Sequence, residues 1–219
     1  MSPERAVVAS VSRRAHGLRR IRLEDGRFFL APRTPGTDSM LEKGAVLEED
    51  DIRRLEGELA REAGLVLAYG ILSRRERTEA QIRRALISEG IDSERSIGYI
   101  TGKLKERGHL DDRRFGSQLI DYILTHRPSG PVLIRRKLLE AGVAPELADE
   151  LLSGHFEPGR ERELALEVAG SRMRSLGGVE RGAAARRLNG YLMRRGFSAS
   201  IAGEICSRIL RGGGIGEDG

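Results

Sequence analysis

The sequence predicts a mainly α protein: an elongated array of three tandem three-helix repeats behind a small N-terminal β-hairpin or sheet. Three observations predict it. First, Gly90, Gly142 and Gly196 recur at spacings of 52 and 54 residues, each followed by an apolar residue, Ile91, Val143 or Phe197. Leu86, Leu138 and Leu192 stand four residues before these glycines, and Ile82, Ile134 and Leu188 eight before. Tyr99, Leu151 and Ile205 stand nine after. A fixed period of this length marks a repeat array, whose units mainly touch their neighbours. Second, 32% of residues are charged, 4% are aromatic and none is Trp. That composition suits thin Leu/Ile/Ala-rich helix interfaces better than one large core. Third, strand and hairpin signals are confined to the first 31 residues.

The elements follow in order. Val7 to Val11 alternates, and Leu18 to Leu23 and Arg27 to Leu30 are short apolar-rich runs separated by Asp25-Gly26, a hairpin signal. They predict two or three antiparallel strands over residues 6–31. Residues 31–44 contain Pro32, Pro35, Gly36 and Gly44 and read as linker, so hairpin and linker occupy 1–47. Glu48 to Asp51 form an acidic first turn. Ile52, Leu55, Leu59, Ala63 and Val66 then predict one long helix, or two broken near Gly64. That helix and the first repeat fill 48–110, the second repeat 111–154 and the third 155–211. The Gly-rich residues 212–219 read as a disordered tail. In each repeat the middle helix ends at its glycine. The last helix begins at Asp92 or Ser93, at Ala144-Pro145, or at Ser198. The first helices are the end of the long helix, Asp112 to about His126, and about Gly159 to Leu176.

Residues 108–115, Gly-His-Leu-Asp-Asp-Arg-Arg-Phe, form the joint between the first two repeats. Gly108 suits the left-handed residue that ends a helix, and Leu110 closes the preceding apolar stripe with Leu104. Asp111 is a suitable N-cap, and Asp112 places negative charge in the next first turn, where the helix dipole favours it. Phe115 opens a new stripe with Leu119 and Tyr122. The reading of these residues is structural.

The net charge is +5. Residues 1–67 carry 12 basic and 12 acidic side chains, residues 68–153 carry 15 and 13, and residues 154–219 carry 11 and 8, so this count places the excess in the repeats. Each middle helix bears an Arg pair: Arg83-Arg84, Arg135-Arg136 with Lys137, and Arg186-Arg187. Arg194-Arg195 follow in the third repeat. Two readings stand side by side. The pairs are ordinary solvated faces with i,i+4 partners, or together they make a discontinuous basic strip for a phosphate backbone.

Catalytic constellations are missing from the sequence. His16, His109, His126 and His155 are scattered, with no metal-ligand spacing to Cys206. There is no phosphate-binding loop of the Walker type and no Gly-x-Gly-x-x-Gly after a strand. Asp111-Asp112 have no further acidic neighbours in sequence. The lone Cys206 permits no intrachain disulfide and reads as a buried small residue. No secretory signal and no apolar run near 18 residues is present. The expectation is a cytoplasmic, non-enzymatic protein without cofactor, metal or membrane contact.

The joint motif resembles the Gly-Tyr-Leu-Asp-Asp-x-Arg-Phe of the RecX family of bacterial RecA regulators, matching at Gly108, Leu110, Asp111, Asp112, Arg114 and Phe115. Gly130, Ile134, Leu138, Gly142 and Val143 resemble the family's Gly-x-x-x-Ile-x-x-x-Leu-x-x-Lys-Gly-Ile. The resemblance covers about residues 65–210, and the hairpin is similar to an extension found in some members. Two departures stand out: His109 replaces an aromatic, and Ala141 stands where Lys is common. The resemblance implies a non-enzymatic three-repeat protein that binds RecA, chiefly as the filament on single-stranded DNA; a monomer is expected. It would lie in the filament groove and limit filament growth, ATP hydrolysis, strand exchange and the co-protease activity behind the SOS response. Weak direct DNA binding accompanies that expectation. The basic side chains named above would face filament or DNA. The competing reading is a general nucleic-acid-binding helical-repeat protein with no dedicated protein partner.

Overall fold

The computed structural model describes residues 5–211 and divides into two compact units, one up to Asp112 and one from Arg113 onward. The expected tail, 212–219, lies outside the described residues.

The first unit opens with an antiparallel sheet of four strands, where the sequence predicts two or three. They are β1 (Ala6–Arg13), β2 (Leu18–Leu23), β3 (Phe28–Pro32) and β4 (Val46–Leu47), in the order β3-β2-β1-β4. Asp25-Gly26 makes the β2–β3 turn. Gly26 adopts φ 91°, and the Asp25 carboxylate accepts from the Arg27 N–H at 2.9 Å. The predicted linker instead holds a short helix, α1 (Pro35–Met40). Thr34 and Thr37 form a reciprocal capping box there, with Pro35 in the first turn. This corrects the linker reading: the Pro and Gly residues mark a helix start.

Helix α2 (Glu49–Arg54) runs through a π-turn (Leu55–Leu59) into α3 (Ala60–Leu72). The helix is therefore not broken at Gly64. The bare Gly64 backbone lets Ile100 pack against it, since a Cβ there would lie 2.3 Å from the Ile100 Cδ1. The sheet is covered on both faces, which is why Phe29, Leu30 and Ala31 are buried in succession. Ile21, Leu23, Phe29 and Ala31 pack with Leu41, Ile52 and Leu55, while Leu18 and Leu30 join the core of the first three helices. Those are α3, α4 (Glu79–Ser88) and α5 (Glu94–Glu106).

The second unit contains α6 (Asp112–His126), α7 (Pro131–Ala141), α8 (Pro145–His155), α9 (Arg160–Arg174), α10 (Arg181–Arg194) and α11 (Ala199–Leu210). Helices α6–α8 enclose one core around Ile120, Ile134, Leu138 and Leu151. Helices α9–α11 enclose another around Leu188, Leu192, Phe197 and Ile205. The fold is thus mainly helical and repetitive behind a small sheet. Cys206 is buried, and its thiol donates to the Ala185 carbonyl oxygen at 3.4 Å.

The three corners at Gly90, Gly142 and Gly196 share one geometry. Each glycine is left-handed, with φ of 89°, 91° and 78°. The next N–H reaches back to the leucine carbonyl: Ile91 to Leu86, Val143 to Leu138 and Phe197 to Leu192, at 3.0–3.2 Å. The glycine N–H closes the inner bond, to Ile87, Leu139 and Met193. This is the Schellman pattern, and its apolar closing residue is almost fully buried at all three corners. Gly108 and His109 end α5 the same way, on Lys105 and Leu104.

Two aromatic positions depart from the sequence reading. Tyr122 is 61% exposed and stacks on His126, and the buried stripe of α6 is Gly116, Ile120 and Ile123. Phe115 and Leu119 lie at its half-buried edge. Tyr99 is likewise exposed, beside Arg61, and Ile100 takes the core position. In both helices the stripe lies one residue away from where the aromatic suggests it.

Candidate functional site

At the joint, Asp112 does more than charge its own helix. Its Oδ1 accepts the Glu79 N–H at 2.8 Å, satisfying an orphan donor at the start of α4, 33 residues back. Thr78 caps the same turn by accepting from the Gln81 N–H at 3.2 Å. Lys105, near the end of α5, pairs with Glu79 at 2.6 Å. Burial pushes Glu79 upward, but hydrogen bonds from Lys105 and Thr101 outweigh it and hold the carboxyl below its ordinary range. Asp111 lies exposed just before α6, Leu110 is buried and Arg114 is exposed. His109 packs edge-on against Tyr69, with centroids 5.2 Å apart, so the imidazole fills an aromatic's place.

Burial is the largest influence on Asp112 and pushes its carboxyl up, against the lowering effect of the Glu79 N–H. In the pH window between the ordinary and the raised value the folded chain binds more protons than the unfolded one. Stability from this group therefore falls as pH rises through that window. At neutral pH the charge is a cost and the acceptor a gain. Asp112→Asn keeps an acceptor and is expected to melt no lower than the parent at pH 7. Asp112→Ala loses the cap and should be destabilised by about 1 kcal/mol. Thermal melts at pH 7 check both; equal losses would contradict this division.

The basic side chains fall into two groups. Arg83 donates to both Glu94 oxygens at 2.7 Å. Arg135 does the same to Asp149 at 2.6 and 2.9 Å. Each forked pair ties the middle helix of a repeat to its last helix, lifting the Arg above its ordinary range. Arg84 donates to the Ala80 carbonyl, and Arg136 reaches Glu140 at 3.5 Å. Arg195 donates to the Pro128 carbonyl at 3.0 Å and to the Tyr191 hydroxyl, over whose ring it also lies. Lys137, Arg186, Arg187 and Arg194 are exposed, and among the described residues none has a carboxylate within ion-pair distance. Arg83 and Arg135 stand seven residues before their corner glycines, whereas Arg186 stands ten before Gly196. The third pair is thus shifted one turn along its helix.

Glycines set the geometry around Arg195. The Gly130 N–H donates to the Arg195 carbonyl at 2.8 Å, and the Val132 N–H to the Gly196 carbonyl at 3.1 Å. The end of α10 thereby faces the start of α7, each satisfying orphan groups of the other. A Cβ on Gly130 would lie 2.3 Å from the Gly196 oxygen, so only glycine permits this approach.

Sequence counting missed a second basic concentration. Residues 1–33 hold eight Arg against three acidic residues. The count over 1–67 concealed this, because the acidic residues of α1, α2 and α3 balance the sheet. Among the described residues, no three His, Cys, Asp or Glu side chains are placed to hold a metal ion, and no helix is long and apolar enough to cross a membrane.

Comparison with known proteins decides the family. No family model matches the chain. A regulatory protein RecX from Amycolatopsis mediterranei (strain U-32) is 30% identical over 145 residues, spanning 66% of this chain and 82% of that protein. The chain belongs to the RecX family. A second RecX, from Pelodictyon phaeoclathratiforme, is 29% identical over 133 residues, 61% of this chain and 80% of its own length. Against the RecX of Lactococcus lactis subsp. cremoris (strain MG1363), at 25% identity, the match spans 52% of the relative. The crystal structure of a regulatory protein RecX superposes with a TM-score of 0.61 at 22% identity, covering 92% of this chain and 99% of the other. RecX from Lactobacillus salivarius gives 0.61 at 20% identity, over 69% of this chain. These two likenesses establish the fold, which RecX structures share with this chain.

Proposed function

We propose that this RecX-family chain is a non-enzymatic regulator of RecA that binds the RecA filament on single-stranded DNA in its groove. There it limits filament growth, ATP hydrolysis, strand exchange and SOS co-protease activity. Membership of a family of regulatory proteins carries the reading. The cations with no carboxylate at ion-pair distance support it, because such charges are available to an acidic or phosphate-bearing surface. Contact is assigned first to Lys137, Arg186, Arg187 and Arg194. Arg83, Arg135 and Arg195 tie their helices to neighbouring segments, Arg84 and Arg136 bond within their own helices, and all five contribute their remaining donors.

The competing reading, a general nucleic-acid binder, differs in one observable. Equilibrium binding to RecA-coated and to bare single-stranded DNA separates the two. Preference for the coated strand is the result expected here. Equal affinity for both, with equally steep salt dependence, would favour the general binder.

A further inference from the structure

The N-terminal sheet carries a cavity of about 480 Å³, lined by Arg13, Arg14, Arg19, Arg33 and Lys43. Asp38 and Glu42 are the acidic residues in its wall. The cations come from three segments: the end of β1 with the start of β2, the stretch after β3, and the loop after α1. Two carboxylates serve four arginines. Asp38 pairs with Arg19 at 3.0 Å and with Arg33 at 3.4 Å, and Glu89 with Arg20 at 2.5 Å and Arg14 at 3.8 Å. Arg13 and Lys43 are exposed, and among the described residues no carboxylate lies within ion-pair distance of either.

The strand register makes this arrangement costly. Arg13 stands directly opposite Arg19 across the β1–β2 ladder. Directly opposed residues share a face, and like charges there destabilise a sheet. Asp38 offsets Arg19 but is shared with Arg33, and Arg13 has no carboxylate of its own; a local rule only partly compensated is expected where a ligand supplies what is missing. The missing group is an anion. Arginine forks match phosphate oxygens, and cations from three segments exceed what one phosphate needs, so the fitting ligand is a run of phosphodiesters. No aromatic ring lines the cavity among the described residues, so the contact offered is to the phosphate backbone and not to stacked bases.

We infer that the Arg13–Arg19–Lys43 cavity of the N-terminal sheet is a nucleic-acid backbone site that holds single-stranded DNA without reading its sequence. The site uses none of the cations named in the repeats and requires no RecA.

The test is fluorescence anisotropy of a fluorescein-labelled 20-mer of thymidylate with the full chain, RecA absent, across a salt series. Arg13→Ser with Lys43→Ser is expected to weaken binding by about tenfold, since each substitution removes one solvent-exposed charge from the strand and exposed charge pairs are weak. The slope of log affinity against log salt should shrink by about 1.4, or 0.7 for each phosphate no longer neutralised on a single strand. Arg13→Lys should restore part of the affinity. Because Arg13→Ser relieves its repulsion with Arg19, the double variant should melt no lower than the parent, so its weaker binding is not a failure to fold. Several results would overturn the site: no binding by the parent chain, unchanged affinity and slope in the double variant, or binding abolished on substituting Lys137, Arg186 and Arg187 instead. Binding to phosphatidylglycerol vesicles without binding to the oligonucleotide would also overturn it.

Discussion

Gly196→Ala is expected to destabilise the unit from Arg113 onward by about 2–5 kcal/mol, combining left-handed backbone strain of about 1–2 kcal/mol with overpacking of about 1–3 kcal/mol. Both causes are present at this residue. Gly196 sits at φ 78°, and a Cβ there would meet the Leu133 nitrogen and Cβ at 2.3 Å. Those atoms belong to the first turn of α7 and cannot swing aside as the end of a long side chain could. Two other glycines separate the causes. Gly108 has φ 68° and open space around it, so Gly108→Ala should cost about 1–2 kcal/mol, from the backbone alone. Gly130 has φ −77° but faces the Gly196 oxygen, so Gly130→Ala should cost about 1–3 kcal/mol, from crowding alone. Urea unfolding followed by circular dichroism orders the three variants. Equal losses at Gly108 and Gly196 would mean that the meeting of α10 with α7 adds nothing.

The second large effect concerns inhibition. Reversing Lys137, Arg186 and Arg187 together to Glu should raise the concentration needed for half-inhibition of RecA by about tenfold, at roughly 0.5 kcal/mol for each surface charge. The melting temperature should change little, since among the described residues none of the three is in an ion pair and only Arg186 acts, through its charge alone, on a carboxylate, that of Glu180. Arg135→Glu should behave differently. It sets a carboxylate against Asp149, whose own carboxyl the Arg135 hydrogen bonds hold below the usual range. That variant should lose stability, and any loss of inhibition should follow the loss of fold. If Arg135→Glu abolished inhibition at unchanged melting, Arg135 would belong to the contact surface and its pairing with Asp149 would be incidental.

Several features were legible because they are local. Leu86, Gly90 and Ile91 lie within six residues, and a Schellman corner needs only that spacing; Leu138, Gly142 and Val143 and the set at Gly196 repeat it. Asp25-Gly26 was legible for the same reason. What sequence spacing could not show is long-range. Asp112 caps a helix 33 residues earlier. Arg83 and Arg135 find their carboxylates 11 and 14 residues away on another helix, outside the i,i+4 window that a single helix offers. Helix α1 was obscured by Pro35 and Gly36, although Thr34 before Pro35 is itself a start signal. Tyr99 and Tyr122 misled because a large ring at the edge of a stripe looks like its centre. The Arg-rich sheet was averaged away by a window that also took in the acidic helices after it.

The most direct measurement of the central claim is RecA ATP hydrolysis on single-stranded DNA with the purified chain added well below the RecA concentration. Strong inhibition at a small fraction of RecA is the predicted result, because one regulator seated in a filament acts on many protomers. Inhibition only near saturation of the DNA, or none, would contradict filament regulation and leave a protein that competes for bare strand.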